Sequence, residues 1–274
     1  MIERLGLPIA ADYHLGHSPL EIDRLMAQAA VLRPIAERLL QKAGLRPGMR
    51  VLDIGCGAGD VSLLAAERVG PTGCVIGIDI AMSAVSLARR RAEKSGLFHA
   101  AFYHTSDPEC GETEPFDFVM GRYVVLHQAD PVGFLRAAAA QVRRGGILAF
   151  HEVDMRSDFA TLPPAPYFDQ VTAEIMEPIR EAVSTPDAAG RLVSFFAEAG
   201  LPVPKLFCER VAGGETDEVL LHAVATNYAA VRALTNPQDR PLSIGAVEAA
   251  LRNDLAETHS QILCPDQCCA WVNL

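Results

Sequence analysis

The sequence predicts an α/β fold built on a doubly wound, mostly parallel sheet. Two observations lead to this prediction: short apolar runs alternate with longer amphipathic stretches, and glycine or proline marks most of the boundaries between them. Strands that alternate with helices are typical of βαβ units, whose strands lie parallel. The predicted strands cover residues 51–54, 74–78, 101–104, 116–120 and 147–150, and the helices between them cover 60–69, 81–95 and 130–142.

A helical arm is predicted ahead of the sheet, over residues 1–45. Ser18 and Glu21 have the spacing of a capping box, which marks the start of a helix. Leucines then recur at helical spacing as far as Gly44, a residue type that commonly follows the end of a helix. Pro34 lies inside this pattern, so a break or kink is expected there.

The remainder, residues 46–274, is predicted to form one domain with its core at 46–154. An inserted helical cap is expected at about 155–186 and 216–259, where apolar residues again recur at helical spacing. The other segments predict a helix at 187–199, a strand at 205–211 and a last strand within 261–274.

Composition excludes several classes of protein. The 274 residues include 24 Lys and Arg against 34 Asp and Glu, which gives a net charge of −10. An acidic chain without a basic block is a poor nucleic-acid binder, because phosphate contacts need cationic side chains. No apolar run approaches the roughly 18–20 residues of a membrane span, and the first residues do not resemble a signal peptide. Seven cysteines, an odd number, favour a reducing compartment over a disulfide framework, so we expect a cytoplasmic protein.

Two groups of residues have metal-ligating side chains, but neither predicts a metal site. His14 and His17 are spaced as a ligand pair, yet no second pair matches them. Cys264, Cys268 and Cys269 lie in the apolar segment predicted as the last strand, where burial accounts for them. We therefore predict a protein without a metal.

The most informative segment is VLDIGCGAGD, residues 51–60. It predicts a strand, a glycine turn and a helix start, the usual place for a ligand at the carboxyl ends of parallel strands. A nucleoside triphosphate would require a lysine at the end of the loop, and none is present. A dinucleotide would favour G-x-G-x-x-G, whereas this loop reads G-x-G-x-G. Asp53 before the loop would repel pyrophosphate but attract an ammonium group.

These features favour S-adenosylmethionine, a ligand that has an ammonium group, a ribose and an adenine. Asp79 ends the next predicted strand, where a carboxylate can accept hydrogen bonds from both ribose hydroxyls. The alternative is that Asp79 only caps the helix that starts near Ala81.

Residues 46–154 resemble the core of class I S-adenosylmethionine-dependent methyltransferases. VLDIGCGAG resembles that family's first motif and GCVIGIDIAMSAVSLARRRA its second. FDFVMGRYVVLHQADP and RRGGILAFHEVD resemble the segments that carry its fourth and fifth strands. The N-terminal YHLGHSPLEIDRLMAQA is similar to a subgroup of bacterial enzymes that often methylate specialised metabolites. The resemblance implies a Rossmann-like fold with a seven-stranded sheet and S-adenosylmethionine as the cofactor.

The resemblance also implies which residues contact that cofactor. Contacts to its methionine end would come from Asp53, Gly55, Cys56, Gly57, Arg122 and Gln28. Asp79 would bind the ribose, Ile80 would pack on the adenine, and His127 would lie at the adenosine edge. The family usually has an acidic side chain near the adenine amine, and the matching residues here are Ser106 and, as the better match, Asp107.

Three residues are the predicted catalytic candidates. Methyl transfer depends on positioning, and it needs a base only where the acceptor keeps its proton. His151 and Glu152 end the fifth strand and are expected to face the mouth of the site, where either could take a proton. A helix cap or a solvated ion pair is the alternative for Glu152. Tyr13 lies on the arm, which in the resembling subgroup folds over the cofactor.

The predicted function is methyl transfer from S-adenosylmethionine to an oxygen, nitrogen or carbon atom of a small-molecule acceptor, in bacterial secondary metabolism. Apolar segments in the arm and cap predict an acceptor with aromatic or terpenoid surface. Three alternatives stay open: a rearrangement or cyclisation with the cofactor bound, an NAD-dependent oxidoreductase, which is less favoured, and a non-catalytic binding module. We expect a homodimer or higher homo-oligomer, because an amphipathic arm can also pack on a neighbouring subunit.

Overall fold

The computed structural model describes residues 19–107 and 114–274. Its strands are β1 (Arg50–Ile54), β2 (Cys74–Asp79), β3 (Ala100–His104), β4 (Phe116–Arg122), β5 (Val142–Val153), β6 (Ala160–Leu162), β7 (Lys205–Glu209), β8 (Ala212–Gly213), β9 (Gln261–Leu263) and β10 (Gln267–Asn273). Its helices are α1 (Pro19–Ala43), α2 (Asp60–Val69), α3 (Met82–Lys94), α4 (Pro131–Ala139), α5 (Pro166–Ala182), α6 (Ala188–Glu198), α7 (Glu218–Thr235) and α8 (Ile244–Thr258). Within these two ranges, no helix combines the length and the apolar character that a membrane crossing requires.

The predicted fold class is confirmed: a seven-stranded, mostly parallel sheet has the order β3-β2-β1-β4-β5-β10-β7. β10 runs antiparallel to both of its neighbours. The central strands β1 and β4 are buried along most of their length because helices cover both faces of the sheet. The order of strands reverses at β1, which pairs with β2 on one side and β4 on the other. Such a reversal opens a crevice at the carboxyl ends of the strands.

The arm helix α1 begins at Pro19 and ends at Ala43, as the capping box at Ser18 and the glycine at position 44 predict. The expected break at Pro34 is wrong, because α1 continues from Pro19 to Ala43 through that residue. A proline removes one helical hydrogen bond. Buried residues on both sides of it, including Leu32 and Leu40, pack with Val51, Phe118 and Trp271 of the sheet. This burial of apolar surface offsets the lost hydrogen bond.

The cap consists of α5, α7 and α8 with a small antiparallel sheet. Phe168 and Ile175 of α5, Val224 of α7 and Leu251 of α8 share one buried apolar cluster. The small sheet has the order β6-β9-β8. The segment predicted as one last strand is two strands, because β9 joins the small sheet and β10 the large one.

The cysteines depart from the expectation in one place. Cys208 of β7 and Cys268 of β10 form a disulfide, whereas the sequence favoured cysteines outside any disulfide framework. The two residues are directly paired across the antiparallel strands but lie 60 residues apart in the sequence, so their spacing could not reveal the pair. Among the residues that the structure describes, Cys56, Cys264 and Cys269 take part in no disulfide.

Candidate functional site

The main cavity lies at the carboxyl ends of β1, β2 and β4 and has a volume of about 280 Å³. We call the part around residues 53–60 and 79–84 the glycine-loop half. The other part, the apolar half, lies under α1, α5 and α7. Its apolar lining residues are Leu25, Met155, Phe159, Ile175, Met176, Ile179, Val183, Leu220 and Val224. One half of the cavity is thus polar backbone and carboxylates, and the other is a hydrophobic chamber.

The glycine loop leaves bare backbone at the edge of the cavity. Gly55, Gly57 and Gly59 have φ values of 69°, 53° and 83°, which favour glycine. A Cβ atom added to Gly55 would collide with Val124. At Gly57, by contrast, an added Cβ would meet no described atom within 4 Å. The loop is therefore open at Gly57, where a ligand can approach the backbone closely.

Asp79 lies beside this opening, at the end of β2. One carboxylate oxygen accepts a hydrogen bond from the backbone N–H of Gly57 at 2.8 Å, and the other from the N–H of Ala81 at 2.8 Å. Ala81 is the N-cap of α3, so Asp79 bonds the residue that precedes the helix and does not itself cap it. Asp79 also lines the cavity, and carboxylate oxygens are the acceptors that a diol requires.

Asp53 is a buried carboxylate that also lines the cavity. One of its oxygens accepts a hydrogen bond from the hydroxyl of Ser62 at 2.5 Å. The other oxygen, Oδ1, is buried and has no hydrogen-bond partner among the described residues. Burial raises the pKa of Asp53 to about 7, although Ser62 and the nearby Arg122 favour the charged form. A bound ammonium group would satisfy this oxygen and stabilise its charge.

The other predicted cofactor residues divide into those that line the cavity and those that do not. Arg122, His127, Gln28, Ile80 and Cys56 all line it. Arg122 is a cation at the end of β4, and its guanidinium lies 3.9 Å from the carboxylate of Asp60. Burial raises the pKa of the Cys56 thiol well above its usual range, which suits a packing residue.

Ser106 and Asp107 are not among the lining residues. The hydroxyl of Ser106 lies 2.6 Å from Nδ1 of His104. Asp107 accepts hydrogen bonds from the backbone N–H of His104 at 3.0 Å and from Arg89 at 3.2 Å. These contacts shape the turn after β3. Tyr13 lies outside the described residues.

His151 does not face the main cavity, so this part of the catalytic prediction is wrong in its geometry. The ring is buried, and its Nε2 lies 3.0 Å from Oε1 of Gln267, which also accepts a hydrogen bond from Tyr123. Burial, together with the positive charge of Arg122, lowers the pKa of His151 to about 3. The imidazole is therefore neutral and serves to anchor β10 against β5.

Glu152 is also directed away from the cavity, contrary to the prediction. It is fully buried, and its carboxylate accepts hydrogen bonds from the backbone N–H groups of Val124, Val125 and Leu126 at 3.0, 2.9 and 3.3 Å. Burial raises the pKa of Glu152 to about 7 despite these three donors. The residue holds the turn after β4, and two of its three donors, Val124 and Leu126, line the cavity. Its role is to position that turn.

Sequence reasoning missed a set of polar residues in the apolar half, here called the polar roof cluster: Glu21, Arg24 and Asn227. All three line the cavity. Arg24 donates two hydrogen bonds to Glu21, each of 2.7 Å, and one of 3.0 Å to the side-chain oxygen of Asn227. The three-residue spacing of Glu21 and Arg24 could have indicated their pairing. Asn227 has no comparable signal, because it comes from α7, about 200 residues later.

Comparison with known proteins identifies a family. Residues 45–197 match a model described as a methyltransferase domain. The chain is 40% identical over 133 residues to aklanonic acid methyltransferase from Streptomyces sp. strain C5, covering 48% of this chain and 60% of that protein. It is 39% identical over 131 residues to a ubiquinone biosynthesis O-methyltransferase from Methylocella silvestris, covering 44% of this chain and 50% of that protein. The chain thus spans little more than half the length of these curated relatives.

Solved structures support the fold. The YcgJ protein from Bacillus subtilis superposes with a TM-score of 0.54 at 16% sequence identity, covering 87% of this chain and 97% of that one. Identity at this level shows a shared fold and does not extend to function. No group of three or more His, Cys, Asp and Glu residues suited to a metal ion occurs within residues 19–107 and 114–274.

Proposed function

Because the chain belongs to the methyltransferase-domain family, we propose that it transfers a methyl group from S-adenosylmethionine to an oxygen atom of a small, mainly apolar molecule. The observation that carries the proposal is the composition of the main cavity. Its glycine-loop half has the charges and bare backbone that suit this cofactor, and its apolar half adjoins that site under the arm and cap.

The glycine-loop half complements both ends of the cofactor. The unpartnered Oδ1 of Asp53 would accept a hydrogen bond from the ammonium group, and Arg122 and Gln28 would bind the carboxylate. Asp79 would accept hydrogen bonds from the ribose hydroxyls, while Ile80 would pack on the adenine. Pairing each charge of the amino acid with its opposite is favourable in a site that is largely shielded from water. When bound, S-adenosylmethionine supplies an electrophilic methyl group on a sulfonium.

The apolar half suits an acceptor with aromatic or terpenoid surface. Its walls are aliphatic, thioether and phenyl side chains from segments remote in the sequence. Such walls bind by burying apolar surface and by keeping water out. Two of the relatives are named for aklanonic acid and for ubiquinone biosynthesis, which supports a small-molecule acceptor in specialised or quinone metabolism.

Catalysis in this proposal depends on positioning. The chamber holds the acceptor oxygen in line with the methyl group, which supplies much of the rate enhancement. Where the acceptor keeps its proton, His127 is the cavity residue suited to accept it, since imidazoles do so near neutral pH. Tyr13 on the arm stays a prediction for the same role.

Calorimetric titration of the purified protein with S-adenosylmethionine tests the proposal, with NAD as the comparison. We expect micromolar binding of the first and no heat with the second. Incubation with a panel of phenols and aromatic acids should then give products heavier by one CH₂ group, and His127→Gln should slow the reaction at saturating S-adenosylmethionine. Binding of NAD alone would overturn the cofactor assignment. A product that is isomerised and has unchanged mass would show that the reaction is a rearrangement and not methyl transfer.

Cofactor affinity is expected to fall in mild acid because of Asp53. Its folded pKa, raised to about 7 by burial, leaves the carboxylate mostly protonated below that pH. Binding of an ammonium group must then release the proton, so the Kd should rise roughly tenfold between about pH 7 and about pH 5.5. Titrations in buffers of different ionisation enthalpy would measure the released proton. Asp53→Asn should bind weakly, with no such dependence; an equal pH effect in this variant would assign the titration to another group.

A further inference from the structure

The polar roof cluster is unusual for its surroundings. Glu21 and Arg24 are each at most 4% exposed at the side chain, yet they line a chamber whose other walls are mainly apolar. A buried ion pair contributes little net stability compared with apolar side chains of the same volume. The packing of α1 on α7 therefore does not by itself explain the cluster. Its position in the acceptor chamber suggests a role in binding the acceptor.

The guanidinium of Arg24 fixes how the amide of Asn227 is turned. A guanidinium donates hydrogen bonds and accepts none, so the amide must present its oxygen to Arg24, as the 3.0 Å contact shows. The NH₂ group then lies on the other side. One of its hydrogens is donated to the backbone oxygen of Ala223 at 2.8 Å. Within residues 19–107 and 114–274 no residue accepts the second hydrogen, and Asn227 lines the cavity.

The charges of Glu21 and Arg24 limit which groups of an acceptor the second side-chain N–H of Asn227 can bind. Glu21 neutralises Arg24 through two hydrogen bonds, so the cluster as a whole is an ion pair without net charge. A carboxylate on the acceptor would meet Glu21 nearby, and an ammonium group would meet Arg24. An uncharged oxygen with lone pairs, such as a ring carbonyl or an ether, avoids both repulsions and accepts the N–H.

We propose that Asn227 determines acceptor specificity by donating a hydrogen bond to an uncharged carbonyl or ether oxygen, away from the methylated atom. Arg24 is a positioning residue that keeps the amide turned towards the chamber. The acceptor is then an apolar, oxygenated molecule and not a bare hydrocarbon or a salt. This inference rests on the proposed function, because it assigns the apolar half to the acceptor.

The test uses two rigid probes of the same outline, fluorenone and fluorene, which differ by one carbonyl oxygen. Binding is measured by equilibrium dialysis with S-adenosylhomocysteine saturating the cofactor site. The wild-type protein should bind fluorenone roughly fivefold to tenfold more tightly than fluorene, as one hydrogen bond in an apolar site predicts. Asn227→Asp should lose this preference, because the aspartate keeps an oxygen for Arg24 but has no N–H to donate.

The Asp variant separates recognition from a merely structural role. If Asn227 only holds α1 to α7, Asn227→Asp keeps or strengthens the contact with Arg24 and leaves the preference intact. Asn227→Leu, which removes both groups, should lose the preference as well. His222→Asn changes a half-exposed residue on the same helix, outside the cavity, and should behave as the wild type.

Three results would overturn the inference: equal binding of the two probes by the wild type, a preference that persists in Asn227→Asp, or no fluorenone binding while the cofactor analogue binds. Failure of the cofactor analogue to bind at all would instead contradict the proposed function. Melting temperatures of all variants are compared first, so that loss of folding is not taken for loss of recognition.

Discussion

Replacing Asp79 with alanine is expected to weaken S-adenosylmethionine binding by roughly a hundredfold, or about 3 kcal/mol, which is the range for two hydrogen bonds to a charged group. The carboxylate serves two purposes. It would bind the ribose, and it already accepts the N–H groups of Gly57 and Ala81, which set the shape of the glycine loop. Calorimetry of the variant with S-adenosylmethionine gives the ratio directly.

Two further variants separate the contribution of the Asp79 oxygens from the general effect of altering a carboxylate at this end of the sheet. Asp79→Asn keeps one acceptor oxygen, so it should lose about tenfold in affinity. Asp107→Asn is the matched control: it alters a carboxylate in a turn near the same end of the sheet, outside the cavity lining, and its binding should be unchanged. A loss in Asp107→Asn equal to that in Asp79→Ala would restore the sequence-based assignment of Asp107 to the adenine.

The glycine-loop half could be predicted because its determinants are local. A strand that contains Asp53 and runs into three glycines fixes the turn and the helix start within ten residues. Asp79 ends the neighbouring parallel strand, whose register with β1 is set by the βαβ connection. The spacing of these residues in the sequence is therefore enough to predict how this half is arranged. In the structure, Asp53, Gly57 and Asp79 lie together around one opening.

The apolar half could not be predicted, because it is assembled from distant segments. α7 packs on both α1 and α5, in contacts such as Asn227 with Arg24 and Tyr228 with Glu174, whose residues are 203 and 54 positions apart. No local pattern states which apolar residues of a helix face a chamber and which face the protein core. The same limit applies to Asn227, whose partner Arg24 is 203 residues away in the sequence.

A residue's position at the end of a strand was the least reliable basis for predicting that it is catalytic. His151 and Glu152 are near the carboxyl end of β5, as the resemblance implied. However, neighbouring residues of a strand point to opposite faces, and the side chains of His151 and Glu152 are both buried. Position along the strand places a residue near the crevice, but its side chain reaches the cavity only where nothing covers it. Val153, the last residue of β5, lines the cavity, whereas His151 and Glu152 do not.

Glu152→Leu is expected to lower the free energy of unfolding by at least about 3 kcal/mol, because three buried backbone N–H groups lose their acceptor and each costs about 1–3 kcal/mol when left unsatisfied. Urea unfolding monitored by circular dichroism measures this change. Glu152→Gln can place its oxygen where it accepts from Val124 and Val125, but its NH₂ group then faces the N–H of Leu126, so an intermediate loss is expected. Glu257→Leu, at an exposed position of α8, should change stability by no more than about 0.5 kcal/mol.

The same variants decide between a positioning and a catalytic role for Glu152. The turn that Glu152 holds contributes Val124 and Leu126 to the cavity, so a loosened turn should weaken cofactor binding in proportion to the loss of stability. A catalytic base would behave differently: Glu152→Gln would keep full stability and cofactor affinity and lose only the rate of methyl transfer. The three short contacts from the backbone to the carboxylate, together with its complete burial, favour the first outcome.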